Sequence, residues 1–327
     1  MAAVTRALRE SSLVRNSLTL ISGTVVTQAI VFLFSPILSR VFGLVDFGNL
    51  ANYNAWVAIL ALLSNLRYEH AVIVAHGQAP TRRALVLTAV LSLASCSVYA
   101  LVAVILHFGY TGEGYLRELQ HIALFIPVGV LAVCMSSLFT QFNVKTGRFK
   151  LLAIVAAVQV VLTLAPQVVL GALHVTNALI IGTIVGSTAS GVILVSLFFR
   201  EYGVTELRRE ASIAQLRLTA IAHVNFPRYT LAADAIAVVV QQFIPVFVLA
   251  LFNPAISGLY SFSIRVVRVP LLVVATAVTS ALRKEAIDNV HAEVSLSPLF
   301  SMTVRALLLL SIVPFVIVLL YGPQIFA

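Results

Sequence analysis

Long apolar runs separated by short polar segments dominate this chain. A helix needs ~20 mostly apolar residues to cross the ~30 Å hydrocarbon core of a bilayer. None of the runs alternates apolar and polar residues in the way that the ~10-residue strands of a membrane barrel do. The pattern therefore predicts an all-α, polytopic membrane protein. Nine spans are expected, at about 17–38, 49–66, 84–107, 120–141, 151–172, 178–199, 229–251, 257–282 and 303–321.

Composition supports this fold class. Of 327 residues, 60% are hydrophobic and only 10% are charged, and the mean hydropathy is +1.03. Such a chain is too apolar for a single water-soluble core. The basic start leads into a full-length apolar run without a small-residue cleavage site, so we expect the first span to remain in the mature protein. Cys96 and Cys134 lie inside predicted spans and are expected to be core residues rather than a disulfide.

The basic residues fall on one side of the predicted spans. With the N-terminus in the cytoplasm, the inner segments hold 17 of the 21 Lys and Arg residues, whereas Arg40 and Arg117 lie on the outer side. Cytoplasmic segments of membrane proteins are enriched in Lys and Arg. This bias predicts a cytoplasmic N-terminus. The formal net charge of +9 is therefore a topology signal, and no nucleic-acid partner is expected.

The longest polar stretch, 200–228, divides the chain. It predicts an N-terminal lobe of six helices at 1–199, a cytoplasmic linker at 200–228 and a partial second lobe of three helices at 229–327. Apolar residues of the linker fall near one helical stripe, which favours either an amphipathic helix on the inner leaflet or a solvated connection. Since the second lobe has three spans, we expect the chain to be a truncated form of a two-lobe protein. The stripe consists of Leu207, Ile213, Leu216 and Ile221.

A weak internal repeat supports this boundary. The first copy begins at Thr19 and reaches Gly48 after 29 residues, and the second begins at Thr230 and reaches Gly258 after 28 residues. Each copy passes through an apolar span with a late proline, and both start on the predicted cytoplasmic side. Two like-oriented lobes of this kind are a transporter architecture.

Small residues line one face of the sixth span. Gly182, Gly186 and Ser190 lie about one turn apart, and small residues let the backbones of membrane helices approach closely. We expect this stripe to pack against a neighbouring helix of the chain rather than against a second copy.

Enzyme and metal motifs are missing from the sequence. It has no P-loop, no GxGxxG, no HExxH and no GxSxG, and its seven histidines lack the spacing of metal ligands. Neither catalysis nor a metal or cofactor is therefore expected.

Charged and polar side chains inside the spans are the main candidates for function. Arg265 and Arg268 lie one helical turn apart in the 257–282 span, and Arg268 lies too deep in it to reach either interface comfortably. They are expected either to line a polar cavity, where two guanidinium groups suit a phosphate or diphosphate, or to bond to other helices. Asp234 is the acidic residue placed well inside a span and is a candidate for ion coupling. Amide side chains also lie inside the predicted spans, and they are expected either to bind sugar hydroxyls or to bridge helices. These residues are Asn52, Asn54, Gln159, Gln167, Gln241 and Gln242.

Three segments resemble a known family: SPILSRVFGLVDFG at 35–48, NLRYEHAVIVA at 65–75 and AISGLYSFSIRVVRVPLL at 255–272. They are similar to the polysaccharide-biosynthesis flippases, the Wzx-type translocators of lipid-linked oligosaccharides, which share a superfamily with the multidrug and toxin extrusion transporters. The resemblance implies alternating access by two lobes around a central cavity. It also implies transfer of an undecaprenyl-diphosphate-linked glycan across the bacterial inner membrane, for O-antigen or exopolysaccharide assembly.

By position in these segments, the resemblance implies substrate contacts for Arg40, Arg67, Glu69, Arg265 and Arg268. For Arg67 and Glu69 the alternative is an ion pair with each other, and for Arg40 an anchor at the outer end of the first span. Expected partners are lipid-linked oligosaccharide, membrane lipids, and a polysaccharide polymerase with other assembly proteins. Two rival functions stay open: a drug or cation extruder of the same superfamily, which would need acidic cavity residues, and a non-transporting scaffold of a polysaccharide assembly complex.

Overall fold

The computed structural model describes residues 23–112, 114–202 and 212–264, together with residues 301, 304 and 305. In this part of the chain every regular element is a helix, as the apolar runs predict. Residues 23–264 belong to one compact unit, Ser22–Pro270. The helices are α1 (Gly23–Val41), α2 (Leu44–Asn65), α3 (Glu69–Val74), α4 (Gln78–Gly109), α5 (Tyr115–Ile122), α6 (Phe125–Lys145), α7 (Phe149–Ala172), α8 (Ala178–Tyr202), α9 (Ile213–Ala222), α10 (Leu231–Leu251, preceded by a π turn at Phe226–Thr230) and the described part of α11 at 254–264.

Six of the described helices are long and apolar enough to cross a membrane: α1, α4, α6, α7, α8, and α10 with its preceding turn. They correspond to the first and the third to seventh predicted spans. The multi-pass, all-helical architecture is therefore confirmed, whereas the count of nine is not. The predicted eighth span is described only in part, and the ninth lies outside the described residues except for residues 304 and 305.

The predicted second span is α2, a 22-residue helix that is too polar to be counted among the six. It lies at the centre of the bundle, packed against α4, α6, α8 and α10. Because helices rather than lipid surround it, α2 accommodates buried asparagines that are hydrogen-bonded. Oδ1 of Asn52 accepts from the Tyr115 hydroxyl at 2.8 Å, and Oδ1 of Asn65 accepts from Ser92 at 2.6 Å. Burial raises the pKa of Tyr115, so its hydroxyl stays protonated and able to donate.

The small-residue stripe of the sixth span lies on α8 and packs within the chain, as expected. A Cβ added to Gly182 or Gly186 would overlap Gln167 or Thr163 of α7. Further along the same face, the Ser190 hydroxyl lies 2.9 Å from that of Ser136 on α6. Because Gly182 and Gly186 carry no side chain, the backbone of α8 lies directly against α7 at these positions.

We name the two ends of the bundle after their predicted orientation. The outer end carries the connections at 42–43, 110–114, 173–177 and 252–253, and the inner end carries those at 66–68, 75–77, 146–148 and 223–225. At the inner end the Lys145 ammonium group donates to the carbonyls of Val72, at 2.9 Å, and Ala75, and to the Thr81 hydroxyl. These hydrogen bonds hold α3, the connection after it and the start of α4 against the end of α6.

Most of the described part of the predicted linker is helical. The helix α8 runs to Tyr202, α9 spans Ile213–Ala222, and the next span begins at Phe226. Tyr68 donates its hydroxyl to the Ala220 carbonyl at 3.1 Å, which holds α9 at the inner end. Leu207 lies outside the described residues, and the division into lobes and the role of α9 at the membrane surface stay predictions. Cys96 and Cys134 are buried and free.

Candidate transport site

Three charged side chains meet at the inner end, and we call them the inner charge cluster: Arg67, Glu69 and Asp234. Nη1 of Arg67 donates to Oε1 of Glu69 at 3.1 Å. Nε of Arg67 lies 2.8 Å from Oδ2 of Asp234. Glu69 is 2% exposed, Arg67 24% and Asp234 36%. One cation facing two carboxylates leaves the cluster with a formal charge of −1.

The backbone that presents Arg67 is strained. Leu66 and Arg67 have φ angles of 47° and 61°, a left-handed conformation that costs a non-glycine residue about 1–2 kcal/mol. The two residues end α2 abruptly and let α3 begin at Glu69. Strained backbone persists where surrounding contacts determine it. Here the two ion pairs of Arg67 and the hydroxyl of Tyr68, bonded to Ala220, provide those contacts.

The cluster joins the two copies of the repeat. Arg67 and Glu69 follow α2, which belongs to the first copy, and Asp234 lies in the first turn of α10 in the second. The remaining oxygen of Glu69, Oε2, is buried without a hydrogen-bond partner within the described residues. The cluster therefore holds a carboxylate oxygen that is available to a proton or another donor.

At the outer end, α2 and α11 cross at the two glycines that mark the repeat. A Cβ added to Gly48 would overlap the Pro254 carbonyl and lie 3.2 Å from the backbone nitrogen of Gly258. A Cβ added to Gly258 would overlap the Leu44 carbonyl and lie 2.9 Å from the backbone nitrogen of Gly48. We call this contact the glycine crossing.

The glycine crossing has the symmetry of a two-fold axis. Each glycine faces the carbonyl of the residue four positions before the other glycine: Pro254 precedes Gly258, and Leu44 precedes Gly48. The Phe47 and Phe262 rings lie beside it, with centroids 5.2 Å apart. The backbones of α2 and α11 are therefore in direct contact at this point.

The sequence-predicted site residues fall into three groups. Arg67, Glu69 and Asp234 come together, and the expected Arg67–Glu69 ion pair is present. Arg40 is exposed at the outer end of α1, away from that cluster. Arg265 and Arg268 lie outside the described residues.

Other polar residues were missed by the sequence reasoning. Lys145 donates to three acceptors of α3, α4 and the intervening connection, and its sequence position at the end of an apolar run does not show these contacts. Thr163 and Thr183 line a cavity with Asn54, Gln159 and Gln167. Gln159, Thr163 and Gln167 are spaced four residues apart, and this spacing was the signal of a polar face on α7. Among the described residues no group of three or more His, Cys, Asp or Glu side chains is placed to hold a metal ion.

Comparison with known proteins identifies the family. A family described as polysaccharide biosynthesis protein matches residues 13–282, which is more than half of the chain. The chain belongs to the polysaccharide biosynthesis protein family. The matched region includes both repeat glycines, the inner charge cluster, and Arg265 and Arg268. No curated protein and no solved structure matches the chain.

Proposed function

We propose that this member of the polysaccharide biosynthesis family is a flippase. Its substrate is an undecaprenyl-diphosphate-linked oligosaccharide, which it moves from the inner to the outer leaflet of the bacterial inner membrane by alternating access. The observation that carries the proposal is the glycine crossing. It joins the two repeat copies by bare backbone at one end of the bundle, and such a contact separates without breaking side-chain bonds across it.

The two ends of α2 make chemically different contacts with the second copy. At the outer end the contact is close packing at Gly48 and Gly258, and at the inner end it is the ion pair between Arg67 and Asp234. Alternating access requires two states that a ligand populates differently. Opening of the inner end breaks the Arg67–Asp234 pair, while the Arg67–Glu69 pair stays within its own copy.

Asp234 is proposed to take part in ion coupling through this pair. When Arg67 leaves, Asp234 loses its counter-charge and becomes able to bind a proton or another cation. A drug or cation extruder would need acidic residues that face its cargo, and among the described residues the Asp234 carboxylate faces Arg67 instead, which favours the flippase. A flux measurement distinguishes the two other proposed functions, because a flippase moves its substrate across the membrane and a non-transporting scaffold does not.

Arg265 and Arg268 are proposed to bind the diphosphate. They follow the described part of α11 by one and four residues in the sequence, so they belong to the same predicted span as Gly258. Guanidinium groups bind phosphate oxygens in a bidentate manner. A pair of them one turn apart suits two adjacent phosphate groups.

The test is transport and binding by the Arg265→Gln, Arg268→Gln double variant in liposomes. We expect the wild type to translocate a fluorescent undecaprenyl-diphosphate-linked oligosaccharide and the double variant to lose at least tenfold in affinity for undecaprenyl diphosphate, since charge-assisted bonds contribute about 1.5–3 kcal/mol each. Arg217→Gln, on the exposed face of α9, is the control and should behave as wild type. Equal binding by the double variant would return both arginines to a structural role, and the absence of flux in the wild type would favour the scaffold.

A further inference from the structure

A cavity lined by both polar and apolar side chains lies between α1, α2, α7 and α8. Its volume is about 330 Å³, which is near the lower end of the range for small-molecule sites, ~300–1,000 Å³, and equals the volume of about ten water molecules. Four apolar side chains and five polar ones line it, and none of them is charged. The polar residues are Asn54, Gln159, Thr163, Gln167 and Thr183.

The cavity is built by the packing of α7 on α8. Gly182 and Gly186 face Gln167, Thr163 and the Gln159 carbonyl so closely that a Cβ on either glycine would overlap them. The glycines thus leave space for the polar face of α7. A larger residue on α8 would fill the position of these side chains.

One side chain in the cavity has an unused acceptor. Gln167 is 2% exposed, and its Nε2 donates to the Leu179 carbonyl at 2.9 Å and to Thr183 Oγ1 at 3.2 Å. Because a carbonyl can only accept, the atom facing Leu179 must be the amide nitrogen. This fixes Oε1 on the other side, where it is buried without a partner within the described residues. Gln167 therefore holds, in the wall of the cavity, a fixed acceptor that no donor among the described residues satisfies.

The lining determines what chemistry fits. An anion would lack a cationic side chain and a cation would lack a carboxylate, and burying an unpaired charge is strongly unfavourable. Amides and hydroxyls supply both donors and acceptors, which match hydroxyl groups. The apolar side chains provide surfaces for C–H groups. Asn54 is exposed and gives the cavity a polar opening on α2.

We propose that this cavity is a sugar subsite, which binds an uncharged, hydroxyl-rich residue of the glycan with the Gln167 Oε1 as acceptor. This inference rests on the proposed flippase function and adds a location for the glycan that is separate from the diphosphate. The substrate would then be held at two chemically distinct places, the phosphates by guanidinium groups and a sugar by neutral amides and hydroxyls.

The test compares two probes on the purified protein in nanodiscs: undecaprenyl diphosphate alone, and undecaprenyl diphosphate carrying one neutral hexose. The variants are Gln167→Leu and the Thr163→Val, Thr183→Val double variant. In the wild type the hexose-bearing probe should bind more tightly than the bare probe. Each variant should weaken the hexose-bearing probe about tenfold, as expected for a lost hydrogen bond in a buried site, and leave the bare probe unchanged within about twofold.

Thr188→Val is the matched control, because Thr188 lies on α8 outside this cavity, at an apolar groove, and loses the same hydroxyl. It should bind both probes as wild type does. If Gln167→Leu fails to fold, the threonine double variant decides, since the bonds that its hydroxyls donate are to carbonyls of their own helices.

The outcomes separate this inference from the proposed function. If the bare probe binds and the hexose adds no affinity that depends on these residues, the cavity holds water only and the sugar subsite is wrong. If neither probe binds to the wild type, the flippase function and the subsite fail together. A loss of affinity for both probes in the variants would also overturn the subsite.

Discussion

Arg67 is the central residue of the inner charge cluster, since its guanidinium faces two carboxylates from different parts of the chain. Glu69 is almost fully buried, and it keeps one oxygen without a partner in the described part of the structure. Breaking a buried ion pair by removing one partner is costly, because the other charge stays buried. Loss of the Arg67 charge alone should therefore destabilise the protein more than loss of the Arg67 and Glu69 charges together.

We expect Arg67→Gln to destabilise the protein by about 1–3 kcal/mol, the cost of leaving a buried polar group unsatisfied. Adding Glu69→Gln should recover part of that loss, because the uncompensated carboxylate is then gone. A double-mutant cycle on the unfolding free energy measures the coupling. Additive losses, in which the double variant loses the sum of what Arg67→Gln and Glu69→Gln lose separately, would show that the pair is not coupled.

The control is the Arg148–Glu201 pair, which is also at the inner end but is more exposed, at 34% and 42%. Surface ion pairs contribute about 0–1 kcal/mol. Arg148→Gln should therefore change stability much less than Arg67→Gln.

The sequence predicted one half of this cluster and not the other. Arg67 and Glu69 are neighbours in the chain, so their pairing could be proposed from spacing. Asp234 is expected well inside its span and lies in the first turn of α10, but hydropathy does not tell which helices are neighbours. Its partner, 167 positions earlier, could only be found from the packing of α10 against α2.

The helices themselves were predicted well in their apolar parts and poorly at their ends. The run at 84–107 belongs to α4, which extends over Gln78–Gly109, and the run at 120–141 belongs to α5 and α6, which are separate helices. Hydropathy detects the lipid-contacting length. Polar residues continue a helix beyond that length whenever they can be hydrated or bonded, as Thr81 is to the Gly77 carbonyl at 2.7 Å.

The glycine crossing is the contact between elements that the repeat anticipated. The register of the two copies placed Gly48 and Gly258 in equivalent positions, and equivalent residues of two copies meet when a two-fold axis passes between them. The sequence could not show that they touch. That contact depends on the crossing of α2 and α11, which is determined by the whole bundle.

We expect Gly258→Ala to separate α2 from α11, since its Cβ would overlap the Leu44 carbonyl. Overpacking of this kind typically costs about 1–3 kcal/mol, so the thermal unfolding midpoint should fall. Gly109→Ala is the matched control, because a Cβ at Gly109 has no atom within 4 Å. An unchanged midpoint in Gly258→Ala would mean that α2 and α11 are packed loosely enough at the glycine crossing to accept the added Cβ.

At the scale of the whole molecule, the orientation of the bundle decides what each end does. The positive-inside bias predicts that the inner charge cluster lies at the cytoplasmic face and the glycine crossing at the opposite face. In the proposed flippase, this orientation would let the substrate enter at the end that carries Arg67 and leave at the end that carries Gly48. An inverted bundle would exchange the roles of the two ends.

Cysteine accessibility measures the orientation directly. We expect Gly112→Cys, in the connection between α4 and α5, to react with a membrane-impermeant maleimide in intact spheroplasts, and Ser212→Cys, just before α9, to react only after permeabilisation. Both positions lie outside the spans of the described chain, and the native thiols of Cys96 and Cys134 are buried and can be replaced by Ala as background. Labelling of Ser212→Cys in intact spheroplasts would show that the topology is the reverse of the predicted one and that the inner charge cluster lies at the outer leaflet. In that case Arg67 and Asp234 would control substrate release rather than entry.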